Sequence, residues 1–233
     1  MKILALETSA KAASVAVTED GKLLCAAYQC SGLTHSRTVM PMVEAMLKNA
    51  DLTTADIDAV AVAAGPGSFT GIRIGVAAAK GLAFALDKPV MGVSTLEAMA
   101  RNVAFADGVI VCAMDARRQQ VYNAVFAAKD GQLTRLAPDR AIGLAELAEE
   151  LKALSGPMTV VGDGAELCHT YLVNQGIPCR IAPPHLVMQN AASVGFAAEA
   201  GPFLPAQELV PVYLRISQAE RERNERMKKE LSK

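Results

Sequence analysis

With 233 residues, 52% of them hydrophobic, the chain has material for one large globular domain or two smaller ones, each with a real core. A formal net charge of −1, with no basic stripe interleaved with aromatics, argues against unaided binding of a polyanion. Five cysteines without a CxxC pair read as reduced thiols, and four apolar residues before Glu7 make neither a signal-peptide core nor a membrane span, so a cytoplasmic location with no membrane is expected.

Strands are predicted at 3–6, 14–17 and 22–24, separated by a turn at Glu7-Thr8 and by Asp20-Gly21, which makes a β-meander. A helix follows over 36–49. Val39, Met40, Val43, Met46, Leu47 and Ala50 form its apolar stripe and Met42 widens it, more apolar surface than one face needs; Met-rich helices adapt to partner surfaces. The run 57–64, rich in Val and Ala, reads as a strand covered on both faces.

That strand enters Gly65-Pro66-Gly67-Ser68-Phe69-Thr70-Gly71, where Ser68 occupies the position of a helix N-cap. Free first-turn amides and the positive dipole end attract anions, which makes Gly65, Gly67, Ser68 and Thr70 candidate anion-binding residues. No Gly-Lys-Ser/Thr closes the loop, as a P-loop requires, and its GxGxxxG spacing on a late strand misses the dinucleotide fingerprint. Along the ensuing helix Gly71, Gly75, Ala79 and Ala83 recur every fourth residue. This ridge of near-bare backbone, flanked by Ile72 and Val76, is expected to receive another helix, within the chain or from a partner.

The second half repeats the plan. Strands are predicted at 109–113, 121–126 and from 132, with turns at Asp115-Ala116 and Asp130-Gly131, then a helix over 144–154, a strand at 158–161, and Gly162-Asp163-Gly164 before another helix. Two βββαβα units about 100 residues apart imply tandem α/β domains made by duplication, 1–106 and 107–233. That order resembles the actin, hexokinase and Hsp70 (ASKHA, ribonuclease H-like) superfamily. The resemblance implies a nucleotide between the lobes, its phosphates gripped by an Asp-x-Gly-Thr hairpin after each first strand. Here the hairpins read Glu7-Thr8-Ser9-Ala10 and Asp115-Ala116-Arg117-Arg118, without the glycine that close backbone approach needs.

More specifically, GPGSFTGIRIGVAAAKGLAF with PVMGVS at Pro89, THSRTVMPMVEAML at Thr34, AMDARRQQVY at Ala113 and PVYLR at Pro211 resemble the TsaB (YeaZ) family over nearly the whole length. The resemblance implies an accessory, non-catalytic subunit in making threonylcarbamoyladenosine beside the anticodon of tRNAs that read ANN codons. The implied partners are the catalytic paralogue TsaD and, through the complex, the ATPase TsaE, with TsaC supplying the threonylcarbamoyl-adenylate. Contact with tRNA is then indirect, and the first-domain helices pair with the paralogue or, alone, form a homodimer. No cofactor is bound tightly; ATP or ADP is expected only at an interface shared with the partner.

The paralogue carries His-x-x-x-His after the strand that follows the glycine loop. Those positions fall here on Thr95 and Met99, so no metal and no catalytic residue is expected. His35, His169 and His185 are far apart and read as surface or capping residues, and no Gly-x-Ser-x-Gly elbow suggests a serine hydrolase. An ATP-binding phosphotransferase of the same superfamily is the alternative, and a metallohydrolase the third reading. From Glu220 on, the tail carries six basic and four acidic residues with Glu222–Arg226 and Glu225–Lys229 at helical spacing, expected to form a solvated helix.

Overall fold

The computed structural model describes residues 1–215. Its first sheet is built from β1 (Lys2–Glu7), β2 (Ala13–Glu19), β3 (Lys22–Gln29), β4 (Ala59–Gly65) and β5 (Val90–Ser94), in the order β3-β2-β1-β4-β5. The second uses β6 (Gly108–Asp115), β7 (Gln120–Lys129), β8 (Gln132–Gly143), β9 (Met158–Val161) and β10 (Arg180–Ile181), in the order β10-β9-β6-β7-β8. Read from its other edge, the second sheet repeats the first strand for strand. In each the meander is antiparallel, and the first strand pairs in parallel with the fourth, β1 with β4 and β6 with β9. This is the actin-like α/β architecture expected from the order of elements.

Helices α1 (His35–Asn49) and α2 (Phe69–Leu86) cover one face of the first sheet, where Val39, Val43, Met46 and Leu47 meet Ile72, Val76, Ala79 and Ala83 over Leu4, Leu6, Val60 and Val62. Helices α4 (Leu144–Leu151) and α5 (Ala165–Asn174) cover the corresponding face of the second sheet through Leu147, Leu151, Cys168 and Leu172. The remaining two helices cross between lobes. α3 (Thr95–Arg101), from the first half of the chain, packs Leu96, Met99 and Ala100 against Ile110, Cys112 and Phe126 of the second sheet. α6 (Ala191–Ala198), from the second half, packs Ala191, Val194 and Ala198 on Ile3, Ala5 and Ala61 of the first. The first sheet ends at Ser94 and the second begins at Gly108, so each sheet keeps to one half of the chain, while the helices that complete them do not.

Polar contacts fix the crossing. Asn102 donates to the carbonyls of Leu186 and Met188, and Ser193 donates to Asn102. Ser94, which caps α3, also donates to Asp139 at 2.5 Å, and Arg135 bridges Asp139 and Glu97 while its guanidinium lies 4.6 Å from the Phe126 ring centre. These partly screened pairs orient α3 on β8 more than they stabilise it. The tail from Glu220 lies outside the described residues.

Candidate functional site: the interlobe cleft and the two faces of α2

The C-terminal ends of β1, β4, β6 and β9 converge on a cleft of about 490 Å³ between the lobes, lined by both hairpins, the start of α2 and the segment 212–215. At its first-lobe base Glu7 is wholly buried. One carboxylate oxygen accepts from the Ser9 amide at 2.5 Å and the other has no partner among the described residues. Burial pushes its pKa up to about 7 against the opposing pull of Ser9, so a large share of it stays protonated up to neutrality. Asp163, across the cleft, is raised for the same reason and accepts from Gln189.

The glycine loop forms one wall, as its sequence suggests, and Ser68 is the N-cap: its Oγ accepts from the Gly71 amide at 3.3 Å. Gly65, Gly67, Ser68 and Thr70 are brought together here, yet the loop is already engaged by the chain itself. The Ser68 amide donates to the Ser9 carbonyl at 2.6 Å. At Gly65, whose φ of +128° favours glycine, a Cβ would collide with the carbonyl oxygen of Val212. A nucleotide phosphate fits poorly, because the backbone it would approach at Gly65 is covered and the facing turns carry Ala10 and Ala116.

The two positions at which the resemblance puts metal ligands, 95 and 99, do not suit a metal either. Thr95 and Met99 are both fully buried, and Met99 belongs to the core between α3 and the second sheet. Hydroxyl and thioether are poor hard-metal donors. Among the described residues His35 and His169 do structural work: each ring bonds a backbone carbonyl, Ala10 at 2.7 Å and Cys179 at 3.2 Å.

The ridge Gly71, Gly75, Ala79 and Ala83, expected to receive a helix from within the chain or from a partner, faces inward with Ile72 and Val76, so these residues are not open to a partner. A Cβ on Gly71 would strike the Thr8 carbonyl, and one on Gly75 would strike Thr8 Oγ1 with Val62 Cγ2 3.2 Å away. Thr8 Oγ1 in turn donates to the Gly71 carbonyl at 2.8 Å. The glycines therefore let the helix settle onto the β1–β2 hairpin. On α1 the same holds for Val39, Val43, Met46 and Leu47, which are core, whereas Met40 is 41% exposed.

What the sequence reading missed is the opposite face. α2 is 18 residues long and apolar enough by composition to cross a membrane, but only a third of it is buried. Its two charged residues both turn to the C-terminal segment: Lys80 donates to the carbonyls of Gln207 and Leu209, and Arg73 to Tyr213 Oη. That leaves Ile74, Ala77, Ala78, Gly81 and Ala85 as an outer apolar ridge, with Phe84 73% exposed beside it and nothing within 4 Å of a Cβ on Gly81. The signal was present in the sequence, since a helix apolar on all sides needs cover on more than one.

The family model of TsaD, described as tRNA N6-adenosine threonylcarbamoyltransferase, matches residues 30–193. The tRNA threonylcarbamoyladenosine biosynthesis protein TsaB of Bacillus subtilis is 34% identical, over 94% of this chain and 96% of its own. This chain belongs to the TsaB family. The Escherichia coli TsaB is 33% identical over 92% of this chain and 95% of its own. A solved structure of YeaZ from Pseudomonas aeruginosa superposes with a TM-score of 0.76 at 28% identity, covering 91% of this chain and 99% of that one. Another, of an uncharacterized protein from Pseudomonas aeruginosa with similarity to peptidase YEAZ, gives 0.79 at 29% identity over 92% and 99%. Among the described residues, Ser68 caps α2, Ser94 caps α3, and the ring of His35 bonds the Ala10 carbonyl.

Proposed function

We propose that this TsaB-family chain is a non-catalytic subunit of the threonylcarbamoyladenosine pathway, which binds the catalytic TsaD paralogue through α1 and α2 and stabilises its active state. The observation that carries this reading is the outer face of α2, an apolar ridge on which Ala77, Gly81, Phe84 and Ala85 are exposed, with Ile74 and Ala78 half-buried at its edge. Small residues admit a second helix at short range, and a four-helix contact with α1 and α2 of a like-folded partner buries the ridge together with Met40 and Phe84. The corrected contact set is Met40, Ile74, Ala77, Ala78, Gly81, Phe84 and Ala85; the buried members of the earlier set hold this surface in shape from below.

The identity of residues 95 and 99 supports the absence of a catalytic role, because the paralogue's ligand positions here carry core side chains. In this reading no cofactor is bound tightly by the chain alone, and ATP or ADP joins only where the partner completes the site. TsaE acts through the assembled complex in the cytoplasm, tRNA contacts this chain only through its partners, and a homodimer on the same ridge forms when the paralogue is absent. Reconstitution tests the reading: tRNA modification by purified TsaD, TsaE and TsaC is measured with and without this chain. Dependence on the chain, with no turnover by the chain alone, is the expected outcome. Full modification without it would contradict the reading.

A further inference from the structure

Apart from one 3-10 turn at Ala206–Glu208, the segment 204–215 has no regular structure, yet it touches both lobes. It starts along the first sheet, where Leu204 bridges Val90, and Ala206 and Leu209 join the core under α2. It then reaches the cleft. The Val212 amide donates to the Ala64 carbonyl at 2.7 Å, and the Val212 carbonyl lies against Gly65. Tyr213 stacks on Phe69 with ring centres 4.7 Å apart, and the Arg73 guanidinium sits 3.8 Å from the Phe69 centre while donating to Tyr213 Oη at 2.8 Å. Two residues later Arg215 donates to the Ala116 carbonyl of the second lobe at 2.5 Å.

Ala116 opens an unusual turn. Arg117, Arg118 and Gln119 all have positive φ, at 63°, 57° and 57°. A run of left-handed residues without glycine persists only where its surroundings hold it, at roughly 1–2 kcal/mol per residue. Inside the hairpin, the turn is held by the Ala116 amide on the Gln120 carbonyl and the Arg117 amide on Asp115. From outside, Arg215 takes the Ala116 carbonyl, and the Leu144 amide the Gln119 carbonyl. The chain passes from the first sheet to the second between Ser94 and Gly108 and returns before α6 at Ala191, and it enters β6 at Gly108, the end away from the cleft.

We infer that residues 211–215 are a latch: a non-covalent tie, separate from the packing of α3 and α6, that sets the separation of the lobes at the cleft and links the first turn of α2 to the second-lobe hairpin. The tie runs Arg73–Tyr213–Arg215–Ala116, so loosening either end frees the other. With the latch released, the Gly65 backbone is uncovered and the left-handed turn loses its outside contact.

The latch is tested on the full chain with Tyr213→Ala, Arg215→Ala and the double variant. Peptide-resolved hydrogen exchange is followed over 64–72 and 112–122, together with the distance between spin labels at Thr70 and Arg118, after Cys25, Cys30 and Cys179 are replaced by Ser. A latch predicts that Tyr213→Ala speeds exchange about tenfold in 112–122, a peptide Tyr213 does not bond, and that Arg215→Ala does the same in 64–72. Both lengthen the label distance, and the double variant adds nothing further, as expected for two parts of one tie. Tyr213→Phe, which keeps the stack and loses only the hydroxyl, reports if Tyr213→Ala fails to fold, and should give a smaller effect of the same kind. Effects confined to the mutated side of the cleft, or additive between the variants, would overturn the inference and leave the segment as first-lobe packing.

Discussion

The inner and outer ridges of α2 are both rich in Gly and Ala, and they do different work. The inner ridge, Gly71, Gly75, Ala79 and Ala83, is small because the β1–β2 hairpin and β4 leave no room for a side chain. On the outer one Ala77, Gly81 and Ala85 are exposed, Ile74 and Ala78 are half-buried, and a Cβ on Gly81 would meet nothing within 4 Å. A small-residue stripe thus has two physical meanings, close packing already achieved and close packing still available. Only the atoms a Cβ would meet tell them apart.

Substitutions that exchange these meanings give the sharpest tests. Gly75→Leu drives a branched side chain into Thr8 and Val62, and is expected to cost about 4 kcal/mol or more, seen as loss of the folded chain in urea denaturation with no partner present. A folded, near-wild-type variant would break the assignment of that ridge to the interior. The hairpin beneath it holds Glu7. Unfolded, this carboxyl ionises near the ordinary 4.5; folded, only near 7. A raised native pKa contributes stability that is present below 4.5 and lost as pH rises to 7, by about 3 kcal/mol on the linkage relation. Glu7→Gln should flatten the dependence of the denaturation midpoint on pH in that window. Wild-type stability that does not fall across it would mean the group is solvated.

Ser68→Ala removes the cap of the helix that carries both ridges and should cost about 1 kcal/mol by thermal or chemical melting. At the other extreme, Ala77→Glu and Gly81→Glu on the outer ridge are expected to shift stability by no more than about 0.5 kcal/mol each, since their side chains enter open space. A large loss from either would place that ridge in the interior as well.

Much of the fold was legible. The short strand runs and the Asp-Gly turns located the two meanders, and their repetition gave two sheets whose strand orders agree. The exchange of α3 and α6 was not, because periodicity shows that a helix has an apolar face without saying which sheet covers it. At the site, Ser68 was recognisable as a cap from its place before a helical run, while the inward turn of Gly71 and Gly75 depended on Thr8, more than 60 residues away in sequence. The segment 211–215 has no periodicity to read. Its role rests on a stack and a few backbone bonds that exist only once the lobes are assembled.

The central claim is that the outer ridge docks and the inner ridge folds. It is tested most directly by titrating the Ala77→Glu, Gly81→Glu double variant against the purified TsaD paralogue in calorimetry, with its melting curve recorded alongside. The account predicts an unchanged melt and an affinity lower by about 100-fold or more, the effect of placing charge at the centre of a close helix contact. Wild-type affinity from the folded double variant would contradict it.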